Sequence, residues 1–402
     1  MKPICIHNGT VISGYSTKEN CSVLVEEGII KEIFPCQNIT QKSFNDDIKI
    51  LDVKGAYITP GFIDTHIHGY MGYGADDAIY PEAKPQNTVE NSLLKMSQLL
   101  VKNGVTSFNP TVYPASANIM PNALSKIVNI MGKEEGAKIM GLHLEGPFLS
   151  PDMLGVQRKE TISPVDLHFM EKLIEASNGH ITNMTIAPEI PHIKELASFC
   201  IKERIVLQAG HTNAVYEDMV NGMLAGVLHS THMFNAMSKL SQRNPNAAGA
   251  ILTSPDMSFE IIADGVHVHP VLFKLIYKCK SPDKIVLITD SLKCSNQETG
   301  PYYANGEEMY LKGGVCIRKK DDVIGGSEIT MIKGVENLVK FGFSLENAVK
   351  AASSNPARIM GYSNKGFISP NMDADITVFD RDFNVLLTMV GGKICWNDIK
   401  YE

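Results

Sequence analysis

The run Ile139-Met140-Gly141-Leu142-His143-Leu144-Glu145-Gly146-Pro147-Phe148 decides how this chain reads. A short apolar stretch ends in a histidine and a glutamate, and Gly146-Pro147 stops it at once. Such a run reads as a buried parallel strand with polar groups at its C-terminal end. The same design recurs in His66-Ile67-His68 after Pro60-Gly61-Phe62-Ile63-Asp64, and in Gly210-His211-Thr212-Asn213-Ala214 after Ile205-Val206-Leu207-Gln208. It returns in Thr231-His232-Met233-Phe234-Asn235-Ala236-Met237, and in Thr289-Asp290-Ser291 after Ile285-Val286-Leu287-Ile288. Metal-capable groups at the C-terminal ends of successive strands occupy the catalytic face of a (β/α)8 barrel. One histidine would mean little; convergent strand ends define a site.

Working outward, strand patterns over 57–64, 106–110, 138–143, 183–187, 204–209, 226–230, 259–263 and 284–289 alternate with helical stretches such as 88–103 and 345–353. That alternation predicts parallel βαβ units, and eight strands close economically into a barrel. The ends of the chain have another texture. Strand patterns at 4–11, 22–33 and 48–53, punctuated by Asn8-Gly9 and Glu27-Gly28, are answered by others at 375–379, 385–390 and 393–396. Residues 1–55 and 366–402 are therefore expected to form a small β-sandwich beside a catalytic barrel of residues 56–365.

Composition agrees with one large domain and one small. The 402 residues are 44% hydrophobic and 20% charged, and the net charge of -7 offers no basic footprint for nucleic acid. No apolar run approaches the roughly 18 residues of a membrane span, and the N-terminus has no signal-peptide pattern. The eight cysteines include no C-x-x-C pair and read as reduced thiols of a cytoplasmic protein.

His66 and His68, two apart, point the same way from a strand end. With Glu145, His211 and His232 they make a donor set suited to zinc, iron(II) or a similar divalent ion. Asp290 ends the last strand, where capping the next segment is its alternative role. His229 lies three residues before His232, so alternation turns it away from the ligand face. His7, His168, His180 and His192 fall in surface or helical contexts. His267 is the functional member of His267-Val268-His269. His143 can share the inward face with Glu145, and alternation alone leaves its role open.

Residues 60–69, 143–148, 210–214, 231–237, 263–267, 289–291 and 325–331, taken in order with the terminal strands, resemble the N-acetylglucosamine-6-phosphate deacetylase family of the amidohydrolase superfamily. The combination His-Leu-Glu-Gly-Pro-Phe, Phe-Asn-Ala-Met and Ala-Asp-Gly-x-His is far more specific than any single motif. The resemblance implies a TIM-like barrel, with Glu145, His211 and His232 as principal metal ligands and Asp290 as the acid-base residue. It implies that the Asn235-Ala236 backbone and Arg243 hold the sugar phosphate, Arg243 reaching across a homodimer. His267 would contact the sugar, and Gly326 and Ser327 would line its pocket. The implied reaction hydrolyses the acetamide of an N-acetylhexosamine 6-phosphate, with one or two divalent ions per subunit.

This chain departs from the family pattern in places. Many binuclear amidohydrolases place a carboxylated lysine on the fourth strand. Here that stretch, Asn183-Met184-Thr185-Ile186-Ala187-Pro188-Glu189, has none, so Glu145 would have to bridge two ions. Where many members carry a loop histidine this chain has Gln157, which can donate a hydrogen bond but carries no charge. Ser291-Leu292-Lys293-Cys294 is also unlike the small residues expected after Asp290. The alternative substrates are N-acetylgalactosamine 6-phosphate and other N-acyl amines. A non-catalytic sugar-phosphate sensor is disfavoured, because such a protein should have lost ligands or the acid-base residue.

Overall fold

The computed structural model describes residues 2–14, 16–41, 48–80 and 88–399, so residues 1, 15, 42–47 and 400–402 of the expected small domain and residues 81–87 of the expected barrel lie outside it. Strands Phe62–Ile67, Val105–Val112, Leu142–Glu145, Ile181–Ile186, Val206–Ala209 and His229–Ser230 pair in parallel, as do Phe259–Ile262 and Ile285–Ile288. Backbone hydrogen bonds span the two gaps in this ladder, Ser258 N to Leu228 O at 3.0 Å and His68 N to Ser291 O at 2.9 Å among them. Met233 N reaches Glu260 O at 2.8 Å between the sixth and seventh strands, and Asp290 N reaches His66 O at 2.9 Å between the eighth and first. The result is a (β/α)8 barrel. Its first, second, third, seventh and eighth strands are buried throughout, because helices cover the outside and side chains fill the inside.

Helix Val89–Leu100 shows how sequence sets the outer layer. Val89, Leu93, Met96 and Leu100 fall on one buried face. The Thr88 hydroxyl accepts from Asn91 N at the start, and Gly104, at φ 80°, turns the chain after a short 3-10 extension. Helix Leu345–Ala352 starts in the same way, with Ser344 accepting from Asn347 N.

Both chain ends build one eight-stranded sheet, in the order Lys393–Asn397, Val385–Val390, Ile376–Phe379, Tyr57–Pro60, Ile4–Ser13, Ser16–Glu26 and Ile29–Pro35, with Lys49–Asp52 also beside Ile4–Ser13. It forms a small β-sandwich around Ile6, Val23, Ile30, Leu51, Ile58, Ile376, Val378 and Leu387. Threonine hydroxyls tie it to the barrel: Thr377 donates to Gly104 O at 2.6 Å and Thr388 to Val101 O at 2.7 Å.

Two sequence readings are corrected. Residues 57–64 are not a single barrel strand. Tyr57–Pro60 pairs with Ile376–Phe379 and Ile4–Ser13, and the barrel strand begins at Phe62. Gly61 divides them because any Cβ there would lie 2.2 Å from the Thr106 side chain. Nor does Asn8-Gly9 end a strand. Asn8, at φ 62°, makes an irregularity within Ile4–Ser13, which continues past it. Glu27 (φ 50°) and Gly28 (φ 83°) do form the expected turn. Their two positive φ values match the hairpin turn that suits strand twist.

One element goes beyond the sequence reading. Between the eighth barrel strand and helix Met331–Lys340, strands Tyr302–Ala304, Glu307–Lys312, Val315–Arg318 and Ile324–Ser327 form an antiparallel meander. It reaches the catalytic end of the barrel. The Arg318 guanidinium donates to Val156 O at 3.2 Å and Gly155 O at 3.3 Å, while Asp321 holds it from the other side.

Candidate metal-binding active site

The strand ends bring His66, His68, Glu145, His211, His232 and Asp290 together at the C-terminal face. Glu145 lies at their centre. Its Oε1 is 3.1 Å from His211 Nε2, 3.2 Å from His232 Nε2 and 3.5 Å from His66 Nε2, and its Oε2 is 3.3 Å from His68 Nε2. Asp290 Oδ1 faces the first pair, 3.4 Å from His66 Nε2 and 3.5 Å from His68 Nε2. Two three-residue groups result, His66–His68–Glu145 and Glu145–His211–His232, with Glu145 common to both.

Secondary contacts aim these rings. His211 Nδ1 is 3.0 Å from Met153 O; a carbonyl only accepts, so that nitrogen carries the proton and Nε2 keeps its lone pair. His66 Nδ1 is held at 2.9 Å by Glu260 Oε2 from the seventh strand. Tyr113 stacks on His68 at 3.9 Å between ring centres. His211 Nε2 and His232 Nε2 lie only 3.2 Å apart, while His66 Nε2 is buried without a hydrogen-bond partner. Several lone pairs converging on one carboxylate in a buried site fit a cation, which would satisfy all of them.

The backbone is bent to deliver these groups. His211 (φ 47°), His232 (φ 21°) and Asp290 (φ 47°) all have left-handed conformations at their strand ends. Each such residue costs of order 1–3 kcal/mol, which the surrounding packing must offset. Glu189 helps, its carboxylate accepting from Asn213 N at 2.7 Å and from the Thr212 hydroxyl at 2.5 Å.

Charge and burial divide the titratable groups. Burial works against the Glu145 carboxylate, but His211, His232 and His68 outweigh it and hold its pKa well below the usual range. Burial takes His68 down to about 4 and lowers His232 also, so both favour the neutral form that ligates metal. Burial also opposes charge on His66, yet Asp290 and Glu260 prevail and push it up to about 10. Asp290 is raised well above the carboxylate range by burial, against the pull of His66, with Glu145 and Glu260 adding repulsion.

The remaining expected residues fall into two sets. A cavity of about 250 Å³ is lined by His68, Glu145, Gln157, His211, His232, Asn235, Ala236, His267 and Asp290. Gln157 Nε2 donates to Glu145 Oε2 at 2.5 Å, and Asp264 Oδ2 grips His267 Nδ1 at 2.6 Å. Gly325 lines the cavity, whereas Gly326 and Ser327 stand behind its wall. There Ser327 N donates to Asp290 O at 3.1 Å and its hydroxyl to Thr289 O. A Cβ at Gly326 would come within 2.5 Å of Asp290 O. Arg243 is exposed and lies apart from the cavity of its own chain.

His143, open from sequence, has both nitrogens on threonines, Thr111 at 3.1 Å and Thr185 at 2.8 Å, and packs edge-on beneath His66. His229 bonds Ser258 at 2.8 Å, away from the cluster. Sequence reading passed over Glu260, Tyr113 and Asp264. Glu260 had a visible signal, a lone carboxylate inside the apolar run Phe259–Ile262, where an unpaired charge would be very costly.

Comparison with known proteins places this geometry. Residues 57–395 match the model of the amidohydrolase family. The N-acetylglucosamine-6-phosphate deacetylase of Bacillus subtilis (strain 168) is 34% identical over 347 residues, covering 84% of this chain and 84% of that protein. The crystal structure of N-acetylglucosamine-6-phosphate deacetylase from Pasteurella multocida superposes with a TM-score of 0.88 at 28% identity, over 98% of this chain and 99% of the other. A mutant of the Mycobacterium smegmatis deacetylase in complex with N-acetyl-D-glucosamine-6-phosphate gives 0.87 at 25% identity, over 98% and 100% of the two chains.

Proposed function

The chain belongs to the amidohydrolase family, and from that we infer that it hydrolyses the acetamide of N-acetyl-D-glucosamine 6-phosphate to glucosamine 6-phosphate and acetate. One observation carries the reading: Glu145 is shared by two histidine pairs at the floor of a cavity of about 250 Å³. The catalytic unit is residues 56–365, with residues 1–55 and 366–402 as the small domain, into whose sheet Tyr57–Pro60 also pairs.

His66, His68, Glu145, His211 and His232 are the residues that would hold one or two divalent ions, zinc or iron(II) by donor type. Such an ion lowers the pKa of a water toward neutrality and polarises a carbonyl. Asp290, facing the His66–His68 side at 3.4–3.5 Å, takes the proton that the attacking water loses. It then returns that proton to the departing nitrogen as the C–N bond breaks. His267, anchored by Asp264, binds the sugar. The Asn235-Ala236 turn and Gln157 complete the binding wall, and Gly326 and Ser327 support it from behind.

The phosphate is met by Arg243 of a second subunit in a cytoplasmic homodimer. Arg243 is exposed beside Leu240, and Leu224, Val271 and Tyr277 on nearby helices are also exposed, which supports a subunit contact on this side. A planar guanidinium meets phosphate bidentately. Among the described residues, no helix is long and apolar enough to cross a membrane.

The test is acetate release from N-acetylglucosamine 6-phosphate and N-acetylgalactosamine 6-phosphate, with metal analysis on the same sample. Faster release from the glucosamine compound is expected. Metal-loaded protein that released acetate from neither would overturn the reading.

A further inference from the structure

Tyr113 follows the second barrel strand, Val105–Val112, and lines the cavity with Glu145, Gln157 and Asp290. Its ring lies against His68 with the planes 13° from parallel, so the stack holds the phenol in one orientation. The residue is 1% exposed, yet its hydroxyl is buried without a hydrogen-bond partner. Buried tyrosine hydroxyls normally find a partner, and one left open beside a cavity marks a place where a ligand can supply it. On the same wall Gln157 gives an amide hydrogen to Glu145 at 2.5 Å, and its own Oε1 is buried and unpaired. The wall thus offers a neutral donor and a neutral acceptor where the bound molecule would lie.

We propose that the Tyr113 hydroxyl donates a hydrogen bond to the acyl oxygen of the substrate, and that this bond tightens as negative charge gathers on that oxygen. The proposal rests on the amide-hydrolysis reading above and names the neutral donor for that reaction. No bond to Tyr113 forms and its proton stays on the phenol. Water adds to the carbonyl carbon, the C–N bond breaks, and Asp290 carries the transferred proton. The donor is set in advance by the His68 stack, so little reorganisation is needed when charge develops. The competing role is structural: the hydroxyl could share a buried water with Asp76, whose Oδ1 is also buried and unpartnered.

Tyr113→Phe separates the two, since it keeps the ring on His68 and removes only the hydroxyl. Loss of one such donor lowers kcat by about 10²–10³-fold. KM and bound metal should hold at parent values. The loss should shrink on an N-trifluoroacetyl substrate, whose more electrophilic carbonyl needs less help. Tyr113→Leu removes the stack as well and should also weaken metal retention. An unchanged kcat in Tyr113→Phe, with a lower melting temperature, would assign the hydroxyl to the Asp76 water and overturn the donor role. A Tyr113→Phe protein that lost its metal would overturn it too, by making the hydroxyl a support for His68. A parent protein inactive on both N-acetylhexosamine 6-phosphates would take down the amide reading and this proposal together, a result distinct from an active parent with an indifferent Tyr113→Phe.

Discussion

The two histidine pairs around Glu145 sit in unlike surroundings. His211 and His232 approach the same carboxylate oxygen at 3.1 and 3.2 Å, from strands joined by a continuous parallel ladder. Away from it, His211 Nδ1 meets a backbone carbonyl and His232 Nδ1 has no hydrogen-bond partner, although the His232 backbone N lies 3.4 Å from Glu260 Oε2. His66 and His68 stand at 3.3–3.5 Å from Glu145 and face Asp290 as well, and His66 leans on Glu260. One side is thus built of two rings closing on a single carboxylate oxygen. The other gathers three carboxylates around two imidazoles, which suits proton handling as much as metal holding. The difference teaches that one cluster can divide its labour between binding an ion and moving a proton.

The largest effect should come from breaking both sides at once. Glu145→Ala is expected to abolish bound metal and acetate release, whereas His211→Ala or His232→Ala should lose the tight ion, and His66→Ala or His68→Ala only a weaker second one. Metal content per subunit checks this, and a single ion lost on changing His66 would reverse the comparison.

A smaller effect sharpens it. Asp290→Asn should retain metal and substrate binding but lose about 10²–10⁴-fold in turnover, the usual contribution of a general acid-base group. Near-parent turnover would remove Asp290 from proton transfer. The smallest effect tests the support behind the first pair. Glu260→Gln keeps a hydrogen-bond acceptor for His66 but drops the charge, and loss of such a partner typically costs about 10–100-fold in metal affinity or activity. Titration with metal should show that loss on the His66–His68 side while the His211–His232 side is unmoved; equal weakening of both would erase the distinction.

Much of this was legible in the chain. The barrel strands declared themselves as short apolar runs, and each main metal candidate stood at the end of one. What escaped had a physical reason. Glu260 and Tyr113 each lie against a histidine ring that follows strand one or ends it, and no spacing rule connects strand seven or strand two with those histidines. The meander was written in Asn305-Gly306 and Gly313-Gly314, pairs whose positive φ values suit tight hairpin turns. Its strands are short, and Glu307–Lys312, rich in Glu and Lys, does not look like a barrel strand. Gly61 was hidden because the close approach of the Thr106 side chain, not a local preference, requires a glycine there.

The left-handed backbone at His211, His232 and Asp290 carries a consequence for how such a chain can change. Glycine takes those conformations freely, so a search that rewarded heat resistance alone would drift toward glycine at these positions. The survivors would be sturdier barrels with nothing left to do. Any laboratory selection for a hardier version therefore has to score turnover in every round. Its gains are better sought in the small β-sandwich, which holds none of these ligands.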